Sequence, residues 1–288
     1  MIRDLGQSRV RSVEAHTGVC GLHLVENLQL ELMLFDRNLI GLPYRRACFE
    51  ASRLFLAHLR DEIARRDAAE LMILSKGIAY QLAAAAETLD INLPANLVAT
   101  SRVNVLSDDA KIEVSYARFD AGGTTLVIGD TVASGATVVT AIEAYRKVHE
   151  VERIFLLSYA GSTIGARRVA EFCDSVGIDC TILFGLASFG LGANGFDLSF
   201  THAETITRPE YRSRAHDLYS GKQVSAVGWD FGSQFMAPEK YRELCWVEAE
   251  VHGFSSGPEL ALAKRPENIE SLSRESAAFV DDLGMTGE

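Results

Sequence analysis

The stretch Thr124-Thr-Leu-Val-Ile-Gly-Asp-Thr-Val-Ala-Ser-Gly-Ala-Thr137 sets one carboxylate, Asp130, directly before a run of small and hydroxyl-bearing residues. That arrangement suits a phosphorylated sugar. Small residues let backbone N–H groups approach a phosphate, and the unbonded N–H groups opening a helix face it. Ser134 and Thr137 add hydroxyls, while Thr131, Ala133, Gly135 and Ala136 complete the bend. Asp130 is ill suited to the phosphate, because like charges repel, but it can accept hydrogen bonds from sugar hydroxyls. The spacing by itself fits equally a plain strand-to-helix turn with Asp130 as its cap.

Other residues could take part. Lys76 and Gly77 follow Ser75 at the end of an apolar run, so a lysine or a peptide N–H there could hold an anion; a solvated lysine at a strand end is the alternative. Asp230 sits between Trp229 and Phe231, with Gly232 next, a setting that suits a flat heteroaromatic ligand or a simple turn. Three further patterns carry less. Gly190-Leu-Gly-Ala-Asn-Gly195 has dinucleotide-loop spacing, but Phe196 to Phe200 reads as extended where a helix is required, leaving Asn194 only as a possible pocket residue. Gly253-Phe-Ser-Ser-Gly257 follows a charged segment, not a buried strand, and Pro258 comes next. His16, Cys20 and His23 have helical spacing, but Gly18 and Gly21 weaken that helix and no fourth metal ligand is evident.

The elements that must position these groups follow from periodicity. Arg45 to Ala68 reads as an amphipathic helix, Leu71 to Leu74 as a strand, and Ala79 to Leu89 as a helix. Residues 96–105 and 111–119 read as extended, with a turn at Ser107-Asp108-Asp109. Thr124 to Ile128 suits a buried central strand, followed by a helix over 136–149, a strand over 154–159, a helix over 164–176 and a strand over 180–186. Alternating strands and helices predict an α/β fold with a doubly wound, mainly parallel sheet. The expected organisation is an N-terminal helical segment over 1–65, a core over 66–189, an irregular cap over 190–254 and a tail over 255–288. There is no internal repeat.

Composition bounds the rest. The 288 residues carry a formal net charge of -11, with no basic tract to release counterions from a nucleic acid. Five scattered cysteines without a CxxC argue against a disulfide framework. The N-terminus lacks the apolar stretch of a secretory signal, and no apolar run reaches the roughly 18–20 residues that span a bilayer. A cytoplasmic protein that binds small molecules, and neither nucleic acid nor membrane, is expected.

The segment around Asp130 resembles the signature of the type I phosphoribosyltransferases: an apolar strand, two acidic positions, then a small Ala/Thr/Gly loop entering a helix. Asp130 matches the second acidic position, and Gly129 stands at the first. Leu34-Phe-Asp-Arg-Asn38 with Tyr44-Arg45-Arg46, and Ile73-Leu-Ser-Lys-Gly77, are similar to the uracil phosphoribosyltransferase branch, with Ser75 where an arginine is usual. Gly228-Trp-Asp-Phe-Gly-Ser-Gln234 loosely resembles that branch's uracil loop, matching at Asp230 and Gly232.

The resemblance implies a phosphoribosyltransferase-type core with a hood. It also implies transfer of ribose 5-phosphate from 5-phosphoribosyl 1-diphosphate to a planar nitrogen acceptor. Asp130 and residues 131–137 would hold the phosphoribosyl group, and Ser75, Lys76, Gly77 and Arg102 the diphosphate. Asn194 and residues 229–232 would hold the acceptor. Magnesium (Mg2+) carried with the diphosphate, no protein-bound metal, and a homo-oligomer such as a dimer are implied as well. The rival readings are a regulator of the same fold that binds a nucleotide or sugar phosphate without transfer, and an enzyme of specialised metabolism with a remodelled cap.

Overall fold

The structure, a computed structural model, describes residues 8–226 except 37, 38, 40, 75, 104–110, 193, 194, 196, 197, 220 and 222, together with the side chains of 103 and 111. The chain begins with β1 (Arg9–Ser12), α1 (Glu14–Thr17), β2 (Leu22–Glu26), α2 (Leu28–Phe35) and α3 (Gly41–Ile63). The central part runs β3 (Ala68–Leu74), α4 (Gly77–Tyr80), α5 (Leu82–Glu87), β4 (Ala95–Val103), β5 (Lys111–Arg118), β6 (Thr125–Gly129) and α6 (Ala136–Arg146). It continues through β7 (Arg153–Ser158), β8 (Gly161–Ser162), α7 (Thr163–Ser175), β9 (Asp179–Gly185) and β10 (Ala187–Leu191). Then come β11 (Leu198–Ser199), β12 (Ile206–Thr207) and α8 (Pro209–Leu218).

Eight strands form one sheet in the order β1-β2-β9-β7-β6-β3-β4-β5. The five pairings from β2 to β4 are parallel, and the two outermost pairings are antiparallel. β6 shows why a parallel sheet forms: all five of its residues are buried, as expected of a strand covered on both faces. One apolar cluster joins α2, α3 and α5 to one face through Phe55, Leu59, Val127 and Phe155. A second joins α6 and α7 to the other through Leu126, Ile128, Ile142 and Val169. The fold is α/β with a mainly parallel sheet covered on both sides.

Several expectations change. The segment 1–65, expected to be helical, also supplies β1 and β2 at one end of the sheet, where β2 pairs with β9. Leu22-His-Leu-Val-Glu26 is too short for periodicity to separate strand from helix, so the exposed flank of β9 decides it. His23 lies in β2, so His16, Cys20 and His23 do not share a helix. The helix read over Arg45 to Ala68 runs from Gly41 to Ile63, and α2 precedes it, capped by the Asn27 carboxamide on the Leu30 N–H at 3.0 Å.

The helix expected over Ala79 to Leu89 breaks at Gln81, whose φ is +50°. Its Nε2 donates to Arg45 O at 3.0 Å, and the Ala83 N–H beyond the break donates to Glu70. Across the expected boundary at 189/190, β10 pairs with β8 from the core and with β11 and β12 from the expected cap to form a small second sheet. The turn at Ser107-Asp108-Asp109, the Arg37-Asn38 pair and the 255–288 tail lie outside the described residues. Among the described residues, no helix is long and apolar enough to cross a membrane.

Candidate functional site

β6 delivers its chain to the carboxyl edge of the sheet, where an open parallel sheet has its ligand crevice. The Asp130 N–H still donates to Leu157 O, at 3.2 Å, so this residue is held at the strand end and is not free in a loop. Its side chain is 5 % exposed, and Oδ1 accepts the Thr131 N–H at 2.8 Å. Burial pushes its carboxyl up to about 7, against the opposing pull of the Lys76 charge and the Thr131 N–H. The Asp130 carboxylate is therefore largely enclosed and poised between its two protonation states near neutrality.

The bend after Asp130 is shaped by a neighbouring segment. Val132 bridges to Gly161; its N–H donates to Ala160 O at 3.2 Å, and its carbonyl accepts the Ser162 N–H at 2.8 Å. The Ser162 hydroxyl donates to Ala133 O and accepts the Gly165 N–H at 2.8 Å, capping α7 as it pins the bend. Gly135 has a φ of +75°, a conformation that glycine adopts without steric cost. From there α6 starts without a side-chain cap, and its first helical bond is Val139 N–H to Gly135 O at 3.1 Å. The amides of Ala136, Thr137 and Val138 thus have no intrahelical acceptor and are available to an anion.

Two neighbours of β6 complete the wall. β3 pairs with β6, and Lys76 follows it at the start of α4. Gly77 packs beneath; a Cβ there would lie 3.2 Å from Gly129 O. β4 pairs with β3 and carries Arg102 near its end. A cleft of about 250 Å³ results, lined by Lys76, Arg102, Asp130, Thr131 to Gly135 and Thr137, with Ile73, Leu74 and Val138 as its apolar part.

Of the residues expected from sequence, Lys76, Arg102, Asp130, Thr131, Ala133, Ser134, Gly135 and Thr137 therefore share one cleft. Gly77 and Ala136 belong to its backbone frame. Ser75, Asn194, Trp229, Asp230, Phe231 and Gly232 lie outside the described residues.

Sequence reasoning missed Ser162 and Gly165, which hold the bend from behind. The serine three residues before a glycine at a helix start was the available signal. It also missed Tyr80. A Cβ on Gly129 would meet the Tyr80 ring at 2.6 and 2.7 Å, and the ring stacks on Tyr159 with centroids 3.9 Å apart. A glycine at the end of a buried strand marks such a close approach.

Among the described residues, no three His, Cys, Asp or Glu side chains gather to hold a metal. The cleft thus brings together two cationic side chains, the helix-start amides and one carboxylate, a set of groups that could meet an anion and hydroxyls.

No family model matches the chain, and no curated protein matches its sequence. Solved structures do resemble it in part. Orotate phosphoribosyltransferase from Aeropyrum pernix is 19% identical at a TM-score of 0.32, over 49% of this chain and 72% of its own. Adenine phosphoribosyltransferase from Thermoanaerobacter pseudethanolicus is 20% identical at a TM-score of 0.35, over 49% and 81%. Purine phosphoribosyltransferase from Pyrococcus horikoshii is 17% identical at a TM-score of 0.34, over 47% and 81%.

Proposed function

We propose that the chain is a phosphoribosyltransferase that moves ribose 5-phosphate from 5-phosphoribosyl 1-diphosphate to a ring nitrogen of a planar heteroaromatic acceptor such as uracil. The observation that carries this reading is the single cleft in which Lys76, Arg102, Asp130 and the Thr131 to Thr137 bend converge. A sugar bearing a phosphate at one end and a diphosphate at the other needs anion donors at two places, with a hydroxyl acceptor between them. The strand order β4-β3-β6, which carries Arg102, Lys76 and Asp130 in turn with the bend after Asp130, supports this reading.

In the reaction the bond from C1 of the ribose to the diphosphate oxygen breaks, and its electron pair leaves with the diphosphate. The acceptor nitrogen bonds to C1 and releases its proton to solvent. Positive charge builds on the ring as the bond breaks, so the protein's tasks are orientation and electrostatic support. The amides of 136–138 and the Ser134 and Thr137 hydroxyls would anchor the 5-phosphate, fixing the sugar. Asp130 would accept from the ribose hydroxyls. Lys76 and Arg102 would stabilise the departing diphosphate, whose charge grows in the transition state.

A diphosphate-release assay across uracil, other bases and small heteroaromatics tests the reading. Release that depends on an acceptor is expected; a purified protein that releases none with any acceptor sinks it. One observation favours the second reading, a regulator that binds a sugar phosphate without transfer. The first acidic position is Gly129, blocked by Tyr80, so the ribose has one carboxylate instead of two. Calorimetric binding of the donor without turnover would select that alternative.

A further inference from the structure

We infer that this cleft takes its diphosphate as the metal-free anion, neutralised by Lys76 and Arg102, and that Tyr80 holds the site in this one-carboxylate form. The inference rests on the phosphoribosyl reading above and concerns what accompanies the ligand. A hard dication such as magnesium takes oxygen ligands, and a protein contributes to its site through carboxylates. The resemblance leads one to expect two adjacent carboxylates. Only Asp130 is present, and Thr131 N–H already occupies its Oδ1.

The missing carboxylate is not merely absent; the fold leaves no room for one. A Cβ at 129 would lie 2.6 Å from Tyr80 Cγ, 2.7 Å from Cδ1 and 2.8 Å from Cβ. Tyr80 is fully buried and cannot swing aside as a surface side chain could. Its ring is parallel to that of Tyr159 within 5°, and its hydroxyl accepts the Tyr159 N–H at 3.0 Å. Tyr159 is anchored in turn, its hydroxyl 2.8 Å from Cys48 O and 2.7 Å from Ser52 Oγ.

Charge points the same way. Lys76 and Arg102 line a cleft of about 250 Å³ in which Asp130 is the single carboxylate among the described residues. A dication in this cleft would be repelled by the two cationic side chains, whereas a diphosphate anion meets them favourably. Burial also raises the proton affinity of Asp130, which further weakens it as a ligand for a cation.

Calorimetry of the full chain with inorganic diphosphate, in EDTA and in excess magnesium, tests the inference. Binding at least as tight in EDTA is expected. Binding tightened by magnesium, or no binding in either solution, overturns it. In a Tyr80→Gly/Gly129→Asp double variant the ring and the Cβ that crowd position 129 are both gone, so a second carboxylate can be accommodated and magnesium should now tighten binding by tenfold or more. A folded double variant that magnesium leaves unaffected overturns the role of Tyr80, and if the variant does not fold, the two wild-type titrations still decide the metal question. The transfer assay reads the function separately. Metal-free binding without transfer removes only the enzymatic reading, and transfer with magnesium-tightened binding removes only this one.

Discussion

Gly135 and Gly165 meet backbone to backbone: a Cβ on Gly135 would lie 2.6 Å from Gly165 O, and a Cβ on Gly165 would lie 2.3 Å from Ala133 O. The ligand-facing bend and the start of α7 are thus one packed unit. Gly165→Ala should push the bend out of place even though residue 165 does not line the cleft. Calorimetry should show ribose 5-phosphate binding weakened at least tenfold, and urea titration a loss of about 1–3 kcal/mol from overpacking. Unchanged affinity would mean that the bend does not hold the phosphate.

Asp130→Asn keeps an oxygen for the Thr131 N–H but removes the charge that a ribose would meet. Transfer should fall by roughly a hundredfold or more, in line with loss of a positioned group in the transition state. Stability should respond oppositely. The folded protein raises the Asp130 carboxyl from 3.8 to about 7, so its contribution is full at low pH and is lost as pH rises through about 7. The asparagine variant escapes that loss. Chemical denaturation should find it matching wild type near pH 4 and exceeding it at pH 8.

Glu70 offers the same effect away from the cleft. It is 1 % exposed on β3, accepts the Ala83 N–H at 3.2 Å, and burial raises it from 4.5 to about 7. Its contribution is likewise present in acid and lost as pH rises through about 7, by an amount on the order of 3 kcal/mol. Glu70→Gln should flatten the stability profile between pH 4 and pH 8 while leaving phosphate binding intact. A profile as steep as wild type would show that Glu70 does not titrate as its burial requires.

Arg102 is exposed on β4, so its removal should cost the fold little, within about 0.5 kcal/mol. A charge-assisted bond to a phosphate oxygen is worth about 1.5–3 kcal/mol. Arg102→Ala should therefore weaken inorganic diphosphate binding by tenfold or more and reduce its sensitivity to salt. Equal affinity for variant and wild type would remove Arg102 from the site.

Local pattern alone determined much of this protein. The β-branched and apolar run before Gly129, the small bend after Asp130, and the helical periodicity of α6 and α7 depend on residues adjacent in the chain, and each is legible there. The resemblance, with its matches in order along the chain, nominated Lys76 and Arg102 beside Asp130, and the structure brings the three into one cleft. Tertiary structure decided the rest, because it turns on contacts between segments far apart in sequence. β2 is a strand because β9 presents an open edge to it, and β1 because β2 does so in turn. The 79–89 helix breaks so that Glu70 and Arg45 can receive its polar groups. Gly129 must lack a side chain because the Tyr80 ring, stacked on Tyr159, lies against it. Asp130 is enclosed and shifted toward neutrality by burial, an energy that depends on every atom excluding water from it and that no single stretch of residues encodes.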